Sequence, residues 1–132
     1  MNSAFTPEKY LAKAERALRA AQLLSQAGEI EGACNRAYYA MYDAAHAALL
    51  AQNRADYKTT KTHSGLIAAF GLHIVSTDKI SRELGRAFNE VEQLRLLADY
   101  TGEEITSEQV SSAIKKAEAF VAAIINMLSQ PD

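Results

Sequence analysis

Cysteine is almost absent from this sequence. Cys34 stands alone, so no disulfide can close within the chain and nothing points to an oxidising compartment. No apolar run approaches the roughly 20 residues that cross a bilayer, which excludes a membrane-spanning helix. The opening residues, Met1-Asn2-Ser3-Ala4-Phe5, carry neither the basic start nor the apolar stretch of a signal peptide, and a cytoplasmic protein is expected. No cysteine–histidine set has zinc spacing, and neither a Walker-type phosphate loop nor a GxGxxG turn occurs, so no metal and no cofactor are expected. A basic surplus is missing too. The formal net charge of −2 argues against broad, non-specific binding to nucleic acid, yet leaves room for a local basic groove, above all where two copies meet. Any chemistry has to come from a few polar side chains set on secondary structure.

What the sequence holds instead is helix. Its 132 residues suffice for one domain with a real core, and 48% hydrophobic against 23% charged residues is the balance of a folded protein. No stretch alternates with period two for long enough to make a strand. Thr6 reads as an N-cap with Pro7 at the first helical position and Phe5 and Tyr10 as a hydrophobic staple; that helix runs to Gly28, a natural stop. An alanine-rich second helix spans about Glu29 to Gln52, followed by a polar loop from Asn53 to Thr62. A short third helix covers His63 to Leu72, and a fourth runs from about Thr77 to Asp99. Thr106-Ser107-Glu108-Gln109 reads as a capping box, with Ile105 and Val110 as its staple, opening a last helix with Val110, Ala113, Ile114, Ala117, Val121, Ile124 and Leu128 on one face. These segments predict a single all-α domain over 1–132, an antiparallel four- to five-helix bundle in which the short third helix is an insertion.

On a helical wheel the second helix has two faces. Arg36, Tyr39, Tyr42, Asp43 and His46 share one arc, while Cys34, Tyr38, Met41, Ala45, Ala48 and Leu49 make an ordinary core face. Between them runs a strip of Ala33, Ala37, Ala40, Ala44 and Ala47, small enough for a neighbouring helix to approach closely. The polar arc is either a solvated face, with Asp43 balancing Arg36 or His46, or the lining of a groove for a phosphate-bearing ligand or a partner. Arginine offers a planar fork for phosphate and tyrosine a stacking surface with a hydroxyl.

The fourth helix contains an anomaly. Ile80, Leu84, Ala87, Phe88, Val91, Leu94 and Ala98 form one apolar stripe, and Arg95 projects into the same arc. A guanidinium cannot shed its proton, so it needs a carboxylate, carbonyls or an opening to a cleft. Asp99, one turn on, is the nearest partner. Arg95 therefore either snorkels at the edge of the bundle, tied to Asp99, or faces a cleft where it can meet phosphate.

Three blocks, in order and with suitable gaps, resemble those of small bacterial HEPN-domain proteins. They are Asn35-Arg36-Ala37-Tyr38-Tyr39-Ala40-Met41-Tyr42, then Lys61-Thr62-His63-Ser64-Gly65 followed by Ala69-Phe70-Gly71, then Arg95 through Asp99-Tyr100. The resemblance implies a helical bundle that usually dimerises and is often encoded beside a minimal nucleotidyltransferase. It also implies, in many members, a metal-independent RNase site in which an arginine is followed after four to six residues by histidine, two copies meeting across the dimer. Carried onto this chain the arginine is Arg95, but Asp99 and Tyr100 stand where the histidine would be. Neither is a base suited to neutral pH, since an aspartate ordinarily titrates at about 4 and a tyrosine at about 10. In some HEPN toxins a tyrosine shortly after the arginine is the acceptor for nucleotidylation by the partner, a part that falls here to Tyr100.

Three functions then compete. One is the toxin-like RNase of a toxin–antitoxin or defence pair, its catalytic set Arg95, Asp99 and Tyr100, with His46 or His63 supplying the missing base. Another is a non-catalytic homodimer that binds RNA, a nucleotide or the nucleotidyltransferase through Arg36, Tyr39, His46 and His63. The last is a helical dimerisation protein with no ligand. The absent histidine weighs against the first, and the polar content of two helices against the last.

Overall fold

A computed structural model describes residues 6–52 and 62–130. Five α-helices follow one another: α1 (Pro7–Gln26), α2 (Ile30–Ala51), α3 (His63–Phe70), α4 (Arg82–Tyr100) and α5 (Ser107–Leu128), with one π-helical turn, Gly71–Val75, continuing α3. Among the described residues there is no strand. No helix among the described residues is long and apolar enough to cross a membrane.

Local chemistry sets the ends. The Thr6 hydroxyl accepts from the Lys9 amide at 3.2 Å, with Pro7 opening α1 as expected. Gly28 takes φ 82°, a left-handed turn that lets the Glu29 amide reach the Leu24 carbonyl at 2.8 Å and sends α2 back along α1. The capping box at α5 is complete, Thr106 Oγ1 accepting from the Gln109 amide and Gln109 Oε1 from the Thr106 amide. The Phe5 half of the first staple and the loop Asn53 to Lys61 lie outside the described residues.

Two boundaries need correction. The third helical segment does not stop at Leu72 but continues through Val75 as a π-turn, and α4 begins at Arg82 rather than near Thr77. The Thr77 hydroxyl does not cap a new helix; it donates back to the His73 and Ile74 carbonyls at 2.9 and 3.2 Å. Asp78 then takes φ 62°, which breaks the helical path, and Ser81 caps α4 by accepting from the Leu84 amide. Ile80, counted on the α4 stripe, reaches the core from this turn.

The bundle is organised around α2, which packs against α1, α4 and α5 and also meets α3. Every member of its alanine strip is fully buried, as are Ala14 and Ala21 of the facing α1. Two methyl-lined surfaces let the backbones close up but bury little apolar area for each side chain. The larger share comes from the other side, where Phe70, Phe88 and Phe120 meet with centroids 5.1–5.8 Å apart. Each of these rings contributes about 1.5–3 kcal/mol of burial. This packing holds α3 and α4 against the tyrosine-bearing half of α2.

Candidate functional site

Arg95 lies within the bundle, not at its edge. It is 6% exposed, although the charge is permanent. Its guanidinium sits 4.5 Å from the centre of the Tyr38 ring and 5.9 Å from that of Tyr39, and its Nη1 donates to Asp99 Oδ2 at 3.2 Å. Its Nε is buried with no hydrogen-bond partner among the described residues. Of the two sequence alternatives, the tie to Asp99 is found, but Arg95 does not snorkel outward.

Tyr38 joins the arginine to α3. Its ring is fully buried, as the core-face assignment requires, yet its hydroxyl shares a 2.9 Å hydrogen bond with His63 Nδ1. His63 is the first residue of α3, held there by Thr62, whose hydroxyl accepts from the Gly65 amide at 3.0 Å. The imidazole stacks on Tyr42 at 4.5 Å and on Tyr38 at 5.6 Å, and meets Tyr39 edge-on. Burial and the nearby Arg95 charge lower the pKa of His63, with Glu92 opposing them, so its ring is neutral at physiological pH. Tyr38 is pushed the other way, chiefly by burial, and stays a phenol.

The remaining residues of the polar arc surround this centre. Arg36 lies over Tyr39, 5.3 Å from the ring centre, so Arg36 and Arg95 both lie close to one phenol. His46 is one residue further from Arg95: it stacks on Tyr10 of α1 at 4.7 Å and meets the edge of Tyr42 at 4.9 Å. Tyr100, at the end of α4, is 74% exposed. Asp43 is buried beneath α1, where Lys13 is its ion-pair partner at 4.0 Å and Arg36 acts on it from further away, while Arg36 Nη2 donates to Asn35 Oδ1 at 3.5 Å. The arc is thus not a plain solvated face; α1 and α3 cover much of it.

His46 has a consequence of its own. Burial, assisted by Lys13 and His63, lowers its pKa from 6.5 to about 4. Protonation therefore favours the unfolded chain: the stabilisation is present above pH 6.5 and lost as pH falls towards 4. Allowing for the partly exposed ring, the loss is about 2 kcal/mol. Thermal melts between neutral pH and pH 4.5 should show His46→Phe losing much of the wild-type acid sensitivity. An unchanged pH dependence overturns this assignment.

Comparison with known proteins now bears on the arrangement. The model of the HEPN domain matches residues 7–128, which is nearly all of the chain. The chain belongs to the HEPN-domain family. A UPF0332 protein of Gloeobacter violaceus is 33% identical over 95% of this chain and 99% of its own length. A UPF0332 protein of Thermotoga maritima is 37% identical over 92% and 89% respectively. A protein of Methanocaldococcus jannaschii named as a candidate toxin is 38% identical over 89% of this chain and 84% of its own. In this HEPN protein the position four residues after Arg95 is Asp99, and the imidazole that shares Tyr38 with the guanidinium comes from a different helix.

Of the residues singled out from the sequence, Arg95, Asp99, Tyr39 and His63 come together, Arg36 borders them, and His46 is linked to them through Tyr42. Tyr38 was missed as a site residue, whereas Tyr42 stood in the polar arc that the sequence offered as a groove lining. Tyr38 had been assigned wholly to the core, and the signal that could have found it is chemical: a buried phenol needs a hydrogen-bond partner. Among the described residues no three His, Cys, Asp or Glu side chains are grouped to hold a metal ion.

Proposed function

We propose that this chain is a toxin-like HEPN protein that cleaves RNA, acting as a homodimer in the cytoplasm and paired with a nucleotidyltransferase. The observation that carries the reading is the Arg95–Tyr38–His63 arrangement, which sets a neutral imidazole close to a fixed cation. The toxin name carried by relatives in Methanocaldococcus jannaschii supports the same direction.

Arg95 takes the scissile phosphate and stabilises the charge that grows on its oxygens. His63 acts as base. In the tautomer used, Nδ1–H donates to the Tyr38 oxygen and the Nε2 lone pair takes the proton of the neighbouring ribose 2′-hydroxyl. The 2′ oxygen bonds to phosphorus, the bond to the 5′ oxygen breaks, and that oxygen takes a proton from water. Tyr38 orients the ring, much as a buried acceptor orients the histidine of a hydrolase triad. Asp99 holds the guanidinium. End-labelled RNA incubated with the purified protein should yield fragments that end in a cyclic phosphodiester. RNA bound but left intact would refute the reaction and leave the non-catalytic binding role.

A second role is favoured by one observation, the exposure of Tyr100. Tyr38 is fully buried and Tyr10, Tyr39 and Tyr42 are half-buried, whereas Tyr100 is the most exposed of these, although its side chain also hydrogen-bonds to Arg95. Co-expression with a nucleotidyltransferase encoded beside this chain should add nucleotide to Tyr100, as read by peptide mass spectrometry. An adduct on another residue refutes the assignment.

A further inference from the structure

The neighbouring surfaces of α1 and α2 carry a group of basic side chains. Lys13, Arg16 and Arg36 line a hollow of about 320 Å³ together with Asp43 and two alanines. All three cations act electrostatically on the Asp43 carboxylate, which is nevertheless raised above its ordinary pKa by burial. One carboxylate, mostly out of solvent, faces three cations, so the hollow keeps a net positive charge on a chain whose formal charge is −2. Lys13 is the cation nearest the carboxylate, at 4.0 Å. Arg16 is exposed on α1, and Arg36 leans over Tyr39, with no carboxylate within ion-pair distance of either among the described residues.

The hollow adjoins the Arg95 site through one side chain. The guanidiniums of Arg36 and Arg95 lie 5.3 and 5.9 Å from the centre of the same Tyr39 ring. Their separation is at most two such distances, a span that an extended single strand covers with one or two nucleotides. A recess of this size accepts a phosphate with its sugar, whereas a duplex is too broad to enter it. Charge, size and distance from Arg95 all fit one occupant.

We propose that Arg16 and Arg36, with Lys13, form a second phosphate subsite that holds the backbone of single-stranded RNA flanking the phosphate at Arg95. The proposal rests on the RNA-directed reading of Arg95. The subsite positions the strand and carries no sequence information, since its contacts go to phosphate. Asp43 keeps Lys13 in place and limits the pull on anions in general, so a chain of phosphates anchored also at Arg95 gains more than a free ion does.

The test is anisotropy titration of a labelled single-stranded RNA oligonucleotide of mixed sequence with the full chain, repeated over a range of salt. Arg16→Gln combined with Arg36→Gln leaves the Lys13–Asp43 pair intact. It should weaken binding at least tenfold at about 0.1 M salt and reduce the slope of log affinity against log salt by about 1.4. Arg16→Lys with Arg36→Lys should restore most of the slope, because a phosphate contact needs charge, which a merely structural loss would not recover. Lys115→Gln with Arg82→Gln removes the same charge elsewhere and should leave the slope as it was. An unchanged slope in the first pair, or an equal fall in the control pair, overturns the subsite while cleavage at Arg95 stands. Wild-type protein that binds no RNA overturns both.

Discussion

Arg95→Leu should abolish RNA cleavage, by about 10²–10³-fold, while changing the stability of the fold by no more than about 1 kcal/mol. Several effects oppose one another in the folded state. Leucine loses the ion pair to Asp99 and the stacking on Tyr38, each worth about 1 kcal/mol, and Asp99 keeps enough exposure, with 31% of its side chain accessible, to stay hydrated alone. Against this, the substitution removes a buried cation whose Nε has no partner among the described residues, a group that costs about 1–3 kcal/mol to leave unmatched. It also continues an apolar stripe that already contains Phe88 and Val91. The reaction has no such compensation, because the fixed fork of donors beside Tyr38 goes with Arg95, and Arg36, the other guanidinium, lies over Tyr39 instead. For that reason Arg95→Lys should recover little activity despite keeping the charge. Melting curves and a cleavage assay on the same preparations decide between the roles. A protein destabilised by Arg95→Leu that still cleaves at the wild-type rate would falsify the assignment and leave Arg95 a structural clamp for the end of α4.

His63→Asn should reduce the cleavage rate by about 10²–10⁴-fold, with little change in RNA affinity. Asparagine is close in size and can keep a polar contact with the Tyr38 hydroxyl, so the stacked tyrosines have little reason to rearrange. It cannot take a proton at neutral pH. In the wild type the pKa of His63 is lowered by burial and by Arg95, so the basic form dominates at neutrality and activity falls only as pH drops below the ordinary imidazole value. The acid limb of the pH–rate profile should therefore lie below pH 6.5 and vanish in the residual activity of His63→Asn. The same coupling is readable without catalysis. In Arg95→Leu the His63 ring should titrate at higher pH by NMR, since a neighbouring cation has gone. A His63→Asn protein with full activity and an unshifted acid limb would move the base elsewhere, and His46 is poorly placed to serve, being stacked between Tyr10 and the edge of Tyr42.

The sequence by itself determined the helical class and most helix ends, because those depend on neighbours a few residues apart. The N-caps at Thr6 and Thr106, the left-handed Gly28 and the 3.6-residue periodicity of α5 are all local, and each appears where its residues predict. Family membership was legible for a related reason, since three short blocks in order are recognisable without knowing what they touch. The start of α4 was not, because a threonine and a serine can each cap a helix, and only the bonds Thr77 makes back to the π-turn decide between them. The helical wheel was also correct in placing Arg95 among leucines, but a wheel shows one helix at a time. Tertiary structure alone decided that Tyr38 links Arg95 of α4 to His63 of α3, and that Asp43 pairs across to Lys13 of α1. These partners lie 25 or more residues apart, and their pairing follows from how the alanine faces of α1 and α2 and the three phenylalanines seat the helices against one another. Periodicity tells each side chain which way to face, and only packing tells it what it will meet.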